Sequence, residues 1–283
     1  MLSSEVRISE AVLYSHREVY HLKKKISLIQ MDVAFGKPEE NYQKAIELMT
    51  KAMKEKPDIL VLPETMNVGF FPKENLKNLS DTNGTKTKTV FGGFAKKYNV
   101  NVVAGSVANR KNDFLYNSVY VFDRNGSVVG EYDKIHCFTP SNEHCYFKGG
   151  DKTIIFELDG IRCSCVVCYD IRFPELIRTI TVQGIDLLFV PAEWPLQRNL
   201  HWIILNTARA IENQIYVCAV NACGYAGKTK YGGNSLLIDP LGKEICHLGT
   251  YEAVVSGEID TAIIDGIRKS INVYHDRKPE CYK

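Results

Sequence analysis

Val166-Val167-Cys168-Tyr169-Asp170-Ile171-Arg172-Phe173-Pro174-Glu175 sets a thiol between an apolar run and a proline. The stretch from Ile161 to Val167 reads as a buried strand, and Pro174 suits the first turn of a helix reaching about Gln183. A cysteine at such a strand-to-helix elbow projects into a cleft while the following backbone N–H points inward. Serine hydrolases present their nucleophile in the same way. Read alone, the segment also fits a buried packing cysteine, since free cysteine is among the most buried residue types.

Outward from this elbow the chain alternates strand and helix. Toward the N-terminus come strand Ile26–Gln30, a helix from Pro38 to about Lys54, strand Asp58–Leu62, a helix from Thr87 to Tyr98 and strand Val100–Ser106. Two hairpins follow, one around Asp123-Arg124-Asn125-Gly126 and one around Asp159-Gly160. Toward the C-terminus come strand Leu187–Val190, helix Leu200–Asn213, strand Ile215–Asn221, a hairpin over Asp239-Pro240-Leu241-Gly242, strand Ala253–Ile259 and a short helix. The alternation predicts one α/β domain over residues 25–283, with two similar halves forming two sheets packed face to face and helices outside. Residues 1–24 read as an N-terminal extension; Val6, Ile8, Val12 and Leu13 equip it for a short packed helix or a loose arm.

Two more segments deliver charged groups to strand ends. Leu62-Pro63-Glu64-Thr65 places a carboxylate at the C-terminal end of an apolar strand, where clefts of α/β sheets open and a general base would work. A solvated loop glutamate is the plainer reading of that segment alone. Tyr132-Asp133-Lys134-Ile135-His136 follows a hairpin strand with an ammonium that could stabilise an oxyanion and favour a neighbouring thiolate. Its plainer reading is a surface lysine paired with Asp133.

Composition narrows the classes. The 283 residues suffice for a core without staples. The net charge of +2 comes from interspersed signs, which argues against nucleic acid or an anionic membrane as partner. No apolar stretch approaches the ~18 residues of a membrane span, and the N-terminus lacks a signal-peptide core. Nine cysteines form no small disulfide framework, so a reducing cytoplasm is expected. Cys163, Cys165 and Cys168 lack the paired knuckle of a zinc site, and Gly149-Gly150 lacks a phosphate-loop pattern; no metal or cofactor is expected. Gly232-Gly233 reads as a place where backbones approach closely.

Taken together and in this order, the segments around Glu64, Lys134 and Cys168 resemble the nitrilase superfamily of carbon–nitrogen hydrolases, over nearly the whole chain from Lys25 on. The resemblance implies a four-layer αββα sandwich that dimerises into a longer stack. It also implies catalysis by Glu64 as base, Lys134 as oxyanion-stabilising cation and Cys168 as nucleophile, with Glu143 as a second glutamate orienting Lys134 or the attacking water. The oxyanion would also meet the backbone N–H of Tyr169. Ala192-Glu193-Trp194-Pro195, Arg198, His201-Trp202 and Ala208-Arg209-Ala210-Ile211-Glu212-Asn213 look like the omega-amidase-type members, which hydrolyse the terminal amide of short 2-oxo dicarboxylic acid monoamides. Such a small-molecule amide brings a carboxylate. Arg172 is the first choice to grip it and Arg198 the second, with structural ion pairing the other reading of each. Trp194 is expected as a pocket wall. An N-carbamoyl amine or N-acyl amino acid hydrolase is the alternative within the superfamily, a nitrile substrate is disfavoured, and a non-catalytic binding dimer would lack one of the three residues.

Overall fold

The computed structural model describes residues 21–70 and 72–282. The extension expected over residues 1–24 lies outside the described residues up to residue 20. The first strand, β1 (Lys23–Gln30), starts ahead of the expected boundary because Lys23 and Lys24 continue the pairing of the chain's last strand, opposite Asp260 and Ile259.

In chain order the other strands are β2 (Ile59–Val61), β3 (Asp81–Thr82), β4 (Asn101–Lys111), β5 (Phe114–Phe122), β6 (Val128–Asp133), β7 (Phe156–Leu158), β8 (Ile161–Cys165), β9 (Leu187–Ala192), β10 (Tyr216–Asn221), β11 (Tyr225–Ala226), β12 (Thr229–Lys230), β13 (Leu236–Ile238), β14 (Glu244–His247) and β15 (Ala253–Asp260). One sheet runs β15-β1-β2-β4-β5-β6, with β3 beside β4; the other runs β7-β8-β9-β10-β13-β14. Read in these directions, both sheets show the same succession of pairings: antiparallel, parallel, parallel, antiparallel, antiparallel. The two halves expected from the sequence are therefore real repeats of one supersecondary plan.

Alternation along the strands sorts the core. Ile26, Leu28, Ile59, Val61, Val119 and Val121 face the second sheet and join Phe156, Cys163, Cys165, Leu187 and Phe189 in one cluster. The intervening Ile29, Leu60, Leu62, Val102 and Phe122 face outward onto helix α1 (Pro38–Ala52) and onto a helical stretch made of Thr85–Thr87, a π turn Lys88–Gly92 and Gly93–Tyr98. Helices α2 (Pro174–Thr181) and α3 (Asn199–Asn213) cover the other sheet, burying Ile177, Ile180, Trp202 and Ala210. The order is helix, sheet, sheet, helix, as expected. A fourth helix, α4 (Ala262–Ser270), follows β15. Complete burial of one Leu or Ile is worth roughly 1.5–3 kcal/mol, and the cluster between the sheets holds many, so this seam dominates the fold's stability.

The elements that serve the cleft meet at the C-terminal ends of the central strands. β4 runs beyond the expected Ser106 to Lys111, where Asn112, at φ +53°, opens the tight turn into β5. Its pairing register with β5 breaks between Val103 and Ser106. Gly105 fills that break at φ +62°, and a Cβ there would stand 1.9 Å from the carbonyl oxygen of Pro63. The break lets Ser106 grip the turn carrying Glu64: its N–H donates to Pro63 O at 3.1 Å and its hydroxyl accepts from Thr65 N at 2.9 Å.

Gly105→Ala is therefore expected to cost at least about 2 kcal/mol, from the left-handed backbone together with the clash. Gly93→Ala, where an added Cβ meets nothing within 4 Å in a helix, should be neutral or stabilising by up to about 1 kcal/mol. Urea melts of the two variants decide; equal midpoints would refute the role given to Gly105.

Candidate active site

Lys134 lies just past β6 and is 1% exposed, so it is no surface lysine. Asp133, its expected surface partner, pairs instead with Lys111, whose Nζ reaches both carboxylate oxygens at 2.8 Å. The Lys134 Nζ donates to Glu64 Oε1 at 2.8 Å and to Glu143 Oε2 at 2.9 Å. Burial alone would lower its pKa, but Glu143 and Glu64 reverse this and hold the ammonium well above the usual lysine range. It is a fixed cation at any physiological pH.

Glu64 is fully buried, which removes the reading of a solvated loop glutamate. Its Oε1 also accepts from Asn117 Nδ2 at 2.8 Å, and its Oε2 accepts from the backbone N–H of Glu193 at 2.8 Å. Glu143 stands in a short 3₁₀ turn, Glu143–Cys145, and also accepts from the backbone N–H of Phe138. Each carboxylate is thus held by protein donors on both oxygens.

Cys168 begins a 3₁₀ turn, Cys168–Arg172, which fills the expected elbow before α2; the strand, expected to Val167, ends at Cys165. Its φ of +49° is strained for a residue with a Cβ. The turn is tied from below by Asp170, whose Oδ2 accepts from Val167 N at 3.0 Å and from the Tyr132 hydroxyl at 2.8 Å. Asp170 Oδ1 accepts from His136 N at 2.9 Å, and the His136 ring stacks on Phe173 with centroids 3.6 Å apart. From the other side, the Arg209 guanidinium donates to the Ile171 carbonyl at 2.9 Å. Burial, and then the charge on Glu64, push the Cys168 thiol well above its usual pKa despite the opposing pull of Lys134. The resting sulfur is therefore a neutral thiol next to a carboxylate.

A cavity of about 140 Å³ opens over this group. Pockets for drug-sized ligands run to about 300–1,000 Å³, so this one takes a small molecule. Lys134, Cys168, Tyr169, Arg172, Trp194 and Arg198 all line it, which brings together every expected site residue except Glu64 and Glu143, buried behind Lys134. The Arg172 guanidinium stacks 4.7 Å from the Trp194 ring centre and contacts His201 Nδ1 at 3.3 Å, while Arg198 lies over Phe138. No carboxylate pairs with either arginine among the described residues. Partial burial, and then Arg198, lower the pKa of Arg172, as two cations on one wall would.

Asn117, Glu193 and Tyr231 join the site with no role assigned to them from the sequence, although Glu193 lies in the segment Ala192-Glu193-Trp194-Pro195. Asn117 sits inside a strand with no pattern to mark it. Glu193 carries the same signal as Glu64, an acid just past the central strand of its sheet. Tyr231 stands beside the glycine pair Gly232-Gly233.

The carbon–nitrogen hydrolase family profile matches residues 25–269. The chain is 43% identical over 261 residues to the 2-oxoglutaramate amidase of Bacillus subtilis (strain 168), covering 92% of this chain and 100% of that protein. It is 34% identical over 222 residues to the omega-amidase YafV of Escherichia coli (strain K12), 77% of this chain and 84% of that one. Among solved structures it is similar to Saccharomyces cerevisiae Nit3, a member of branch 10 of the nitrilase superfamily, with a TM-score of 0.82 at 26% identity over 88% of this chain and 94% of that chain.

Removing the buried cation tests the electrostatics. Lys134→Met leaves Glu64 and Glu143 buried without a counter-charge, an expected loss of about 3–5 kcal/mol. The uncompensated charge costs most where it is fully developed, so the variant should lose more stability relative to wild type at pH 8 than at pH 5. Denaturant melts at pH 5 and pH 8 read this directly; a pH-independent loss would contradict it.

Proposed function

The chain belongs to the carbon–nitrogen hydrolase family, and from that premise we propose that it cleaves the terminal amide of a short carboxylate-bearing substrate. The reaction is of omega-amidase type: 2-oxoglutaramate or 2-oxosuccinamate gives the 2-oxo dicarboxylate and ammonia. The observation carrying the substrate class is the wall of Arg172 and Arg198, two guanidiniums without an acidic partner beside a buried thiol in a cavity sized for a small acyl group. The names of the Bacillus and Escherichia relatives point the same way.

In this reading Glu64 takes the Cys168 proton as Sγ attacks the amide carbon, which suits a thiol that is neutral at rest. Negative charge gathers on the carbonyl oxygen. Lys134 Nζ donates to Glu64 Oε1 and to both oxygens of Glu143, and by giving up the longest of these contacts, 3.1 Å to Glu143 Oε1, it can donate to that oxygen together with the Tyr169 backbone N–H. Such a donor is worth about 10²–10³ in kcat. Glu64 then protonates the nitrogen, the C–N bond breaks and ammonia leaves a thioester. Water attacks the thioester as Glu64 takes its proton; the acid departs and the thiol is restored. Glu143 keeps Lys134 in place throughout. The steps ask for no metal or cofactor.

We assign the protein to the cytoplasm, on nine unpaired cysteines, and to a homodimer. The dimer rests on α3, where Leu200, Ile204 and Ile211, spaced four and then seven residues apart, form one exposed apolar stripe (67%, 53% and 50%). Ile204→Glu should shift the sedimentation of the protein from dimer to monomer; an unchanged profile would move the interface elsewhere.

The chemistry is tested by ammonia release across 2-oxoglutaramate, 2-oxosuccinamate, glutamine, asparagine and carbamoyl amines. The 2-oxo monoamides should release ammonia without CO2, and Cys168→Ala should be folded but inactive. Arg172→Gln should raise KM for 2-oxoglutaramate by roughly tenfold or more, with a smaller effect on an amide lacking the carboxylate. Release of CO2 from carbamoyl amines in preference would favour the carbamoylase alternative, and full activity in Cys168→Ala would end the thioester mechanism.

A further inference from the structure

Two buried polar atoms on residues of the cavity wall have no partner among the described residues: Glu193 Oε1 and Tyr231 Oη. Glu193 is 2% exposed and Tyr231 is 3% exposed. Both side chains are nonetheless fixed. Glu193 Oε2 receives a hydrogen bond from Thr65 Oγ1 at 2.8 Å, and the Tyr231 ring stands edge-on to Phe70 with centroids 6.5 Å apart. A leucine and a phenylalanine would fill the same volumes without leaving polar atoms unsatisfied, so the fold gains nothing from either atom. Their use lies with whatever enters the cavity.

The repeat of the two sheets locates that use. β2 and β9 are counterparts, each flanked by two parallel neighbours, and Glu64 and Glu193 lie just past their ends. The pair meets across the seam, with Glu193 N donating to Glu64 Oε2. Tyr231 lines the same cavity as Lys134, Cys168 and Glu193. On the proposed reaction, the substrate's acid end goes to the arginines and its carbonyl oxygen to Lys134 and Tyr169 N–H. The amide nitrogen, which Glu64 must reach to protonate it, is the part left without a binding group. Among the described residues, Glu193 and Tyr231 are the two lining this cavity that carry a buried, unpartnered oxygen.

We propose that Glu193 and Tyr231 are specificity-determining residues that hold the amide nitrogen, Glu193 Oε1 and Tyr231 Oη accepting its N–H groups and so selecting unsubstituted amides. As Glu64 delivers its proton, the three N–H bonds of the leaving ammonia face three oxygens, those of Glu64, Glu193 and Tyr231. Burial, reinforced by Glu64, holds the Glu193 carboxyl well above the usual carboxylate range. With Thr65 Oγ1 donating to Oε2, Oε1 is left open as the acceptor.

The inference rests on the amidase reading, and the test separates the two. A primary amide and the ethyl ester of the same acid give the same thioester, so only the amide should feel a contact to nitrogen. Tyr231→Phe and Glu193→Ala should each lower kcat/KM for the amide by about tenfold more than for the ester. Glu193→Gln keeps a carbonyl oxygen at that place and can donate its N–H to Thr65, so it should recover most of what Glu193→Ala loses. The preference of the wild type for a primary over an N-methyl amide should narrow in Tyr231→Phe. Equal losses on amide and ester, or no loss on the amide, would overturn the proposal. If 2-oxoglutaramate is not a substrate but another primary amide is, the substrate assignment falls while the same comparison, run on that amide, still decides this one. An enzyme that cleaves the ester and no primary amide ends both.

Discussion

The arrangement depends on one ammonium buried between two carboxylates. Lys134, Glu64 and Glu143 come from the end of β6, the end of β2 and a 3₁₀ turn, and none of the three is more than 1% exposed. Taking three charges out of water carries a desolvation penalty of several kcal/mol per ion in real proteins, repaid only when the geometry is close and the remaining lone pairs are filled. Here they are filled, by Asn117, by Phe138 N and by Glu193 N. An apolar trio of similar size would pack this space at less expense. What the ionic version supplies is a cation of fixed position and protonation beside a thiol, and a carboxylate whose orientation cannot drift.

That constraint explains why the surrounding backbone is unusual. Glu64 can turn into the seam only because the next residue, Thr65, adopts φ +36° and β4 breaks register at Gly105 to receive it. Cys168 can face the ammonium only at φ +49°. A left-handed non-glycine residue costs of order 1–3 kcal/mol, and here two such residues flank one site. The strained segments are held by Asp170, which accepts from Val167 N, by Arg209, which donates to the Ile171 carbonyl, and by Ser106, which accepts from Thr65 N.

Local pattern carried much of this. Apolar strands with charged ends are visible as runs, so Cys168, Glu64 and Lys134 stand out, and the alternation of elements leads to the layered fold. Their resemblance to a family then ordered them into a site. Legibility stops where a property belongs to two distant segments at once. Asn117 matters because β5 brings it under Glu64 and Glu143, and nothing in its neighbours says so. Gly105 looks like any strand glycine until Pro63 is laid against it. The π turn at Lys88–Gly92 and the step of 3₁₀ turn after Cys168 adjust helix direction without leaving a mark on hydrophobic period. Glu193 shares the strand-end signal of Glu64 and stands in the segment Ala192-Glu193-Trp194-Pro195, but its role shows only where one of its oxygens lacks a partner among the described residues.

The doubled plan also gives the two acids different duties. Glu64 and Glu193 occupy matching places in the two sheets and lie close enough that ionising both is costly. The asymmetry is supplied by Lys134, which donates directly to Glu64. Among the described residues Glu193 has no such cation donating to it; burial and then Glu64 hold its carboxyl well above the usual carboxylate range, and its Oε1 stays an open acceptor. On the proposed reaction this division has a further consequence at the end of the cycle. The amide enters the Glu64 side of the cavity as a neutral group, but the hydrolysed product would carry a new carboxylate there, beside Glu64 and Glu143. Like charges at that range in a buried site repel, whereas the arginines hold only the carboxylate that was present from the start. The same charge layout that draws in a monoamide thus weakens the hold on the diacid, and release follows from hydrolysis itself.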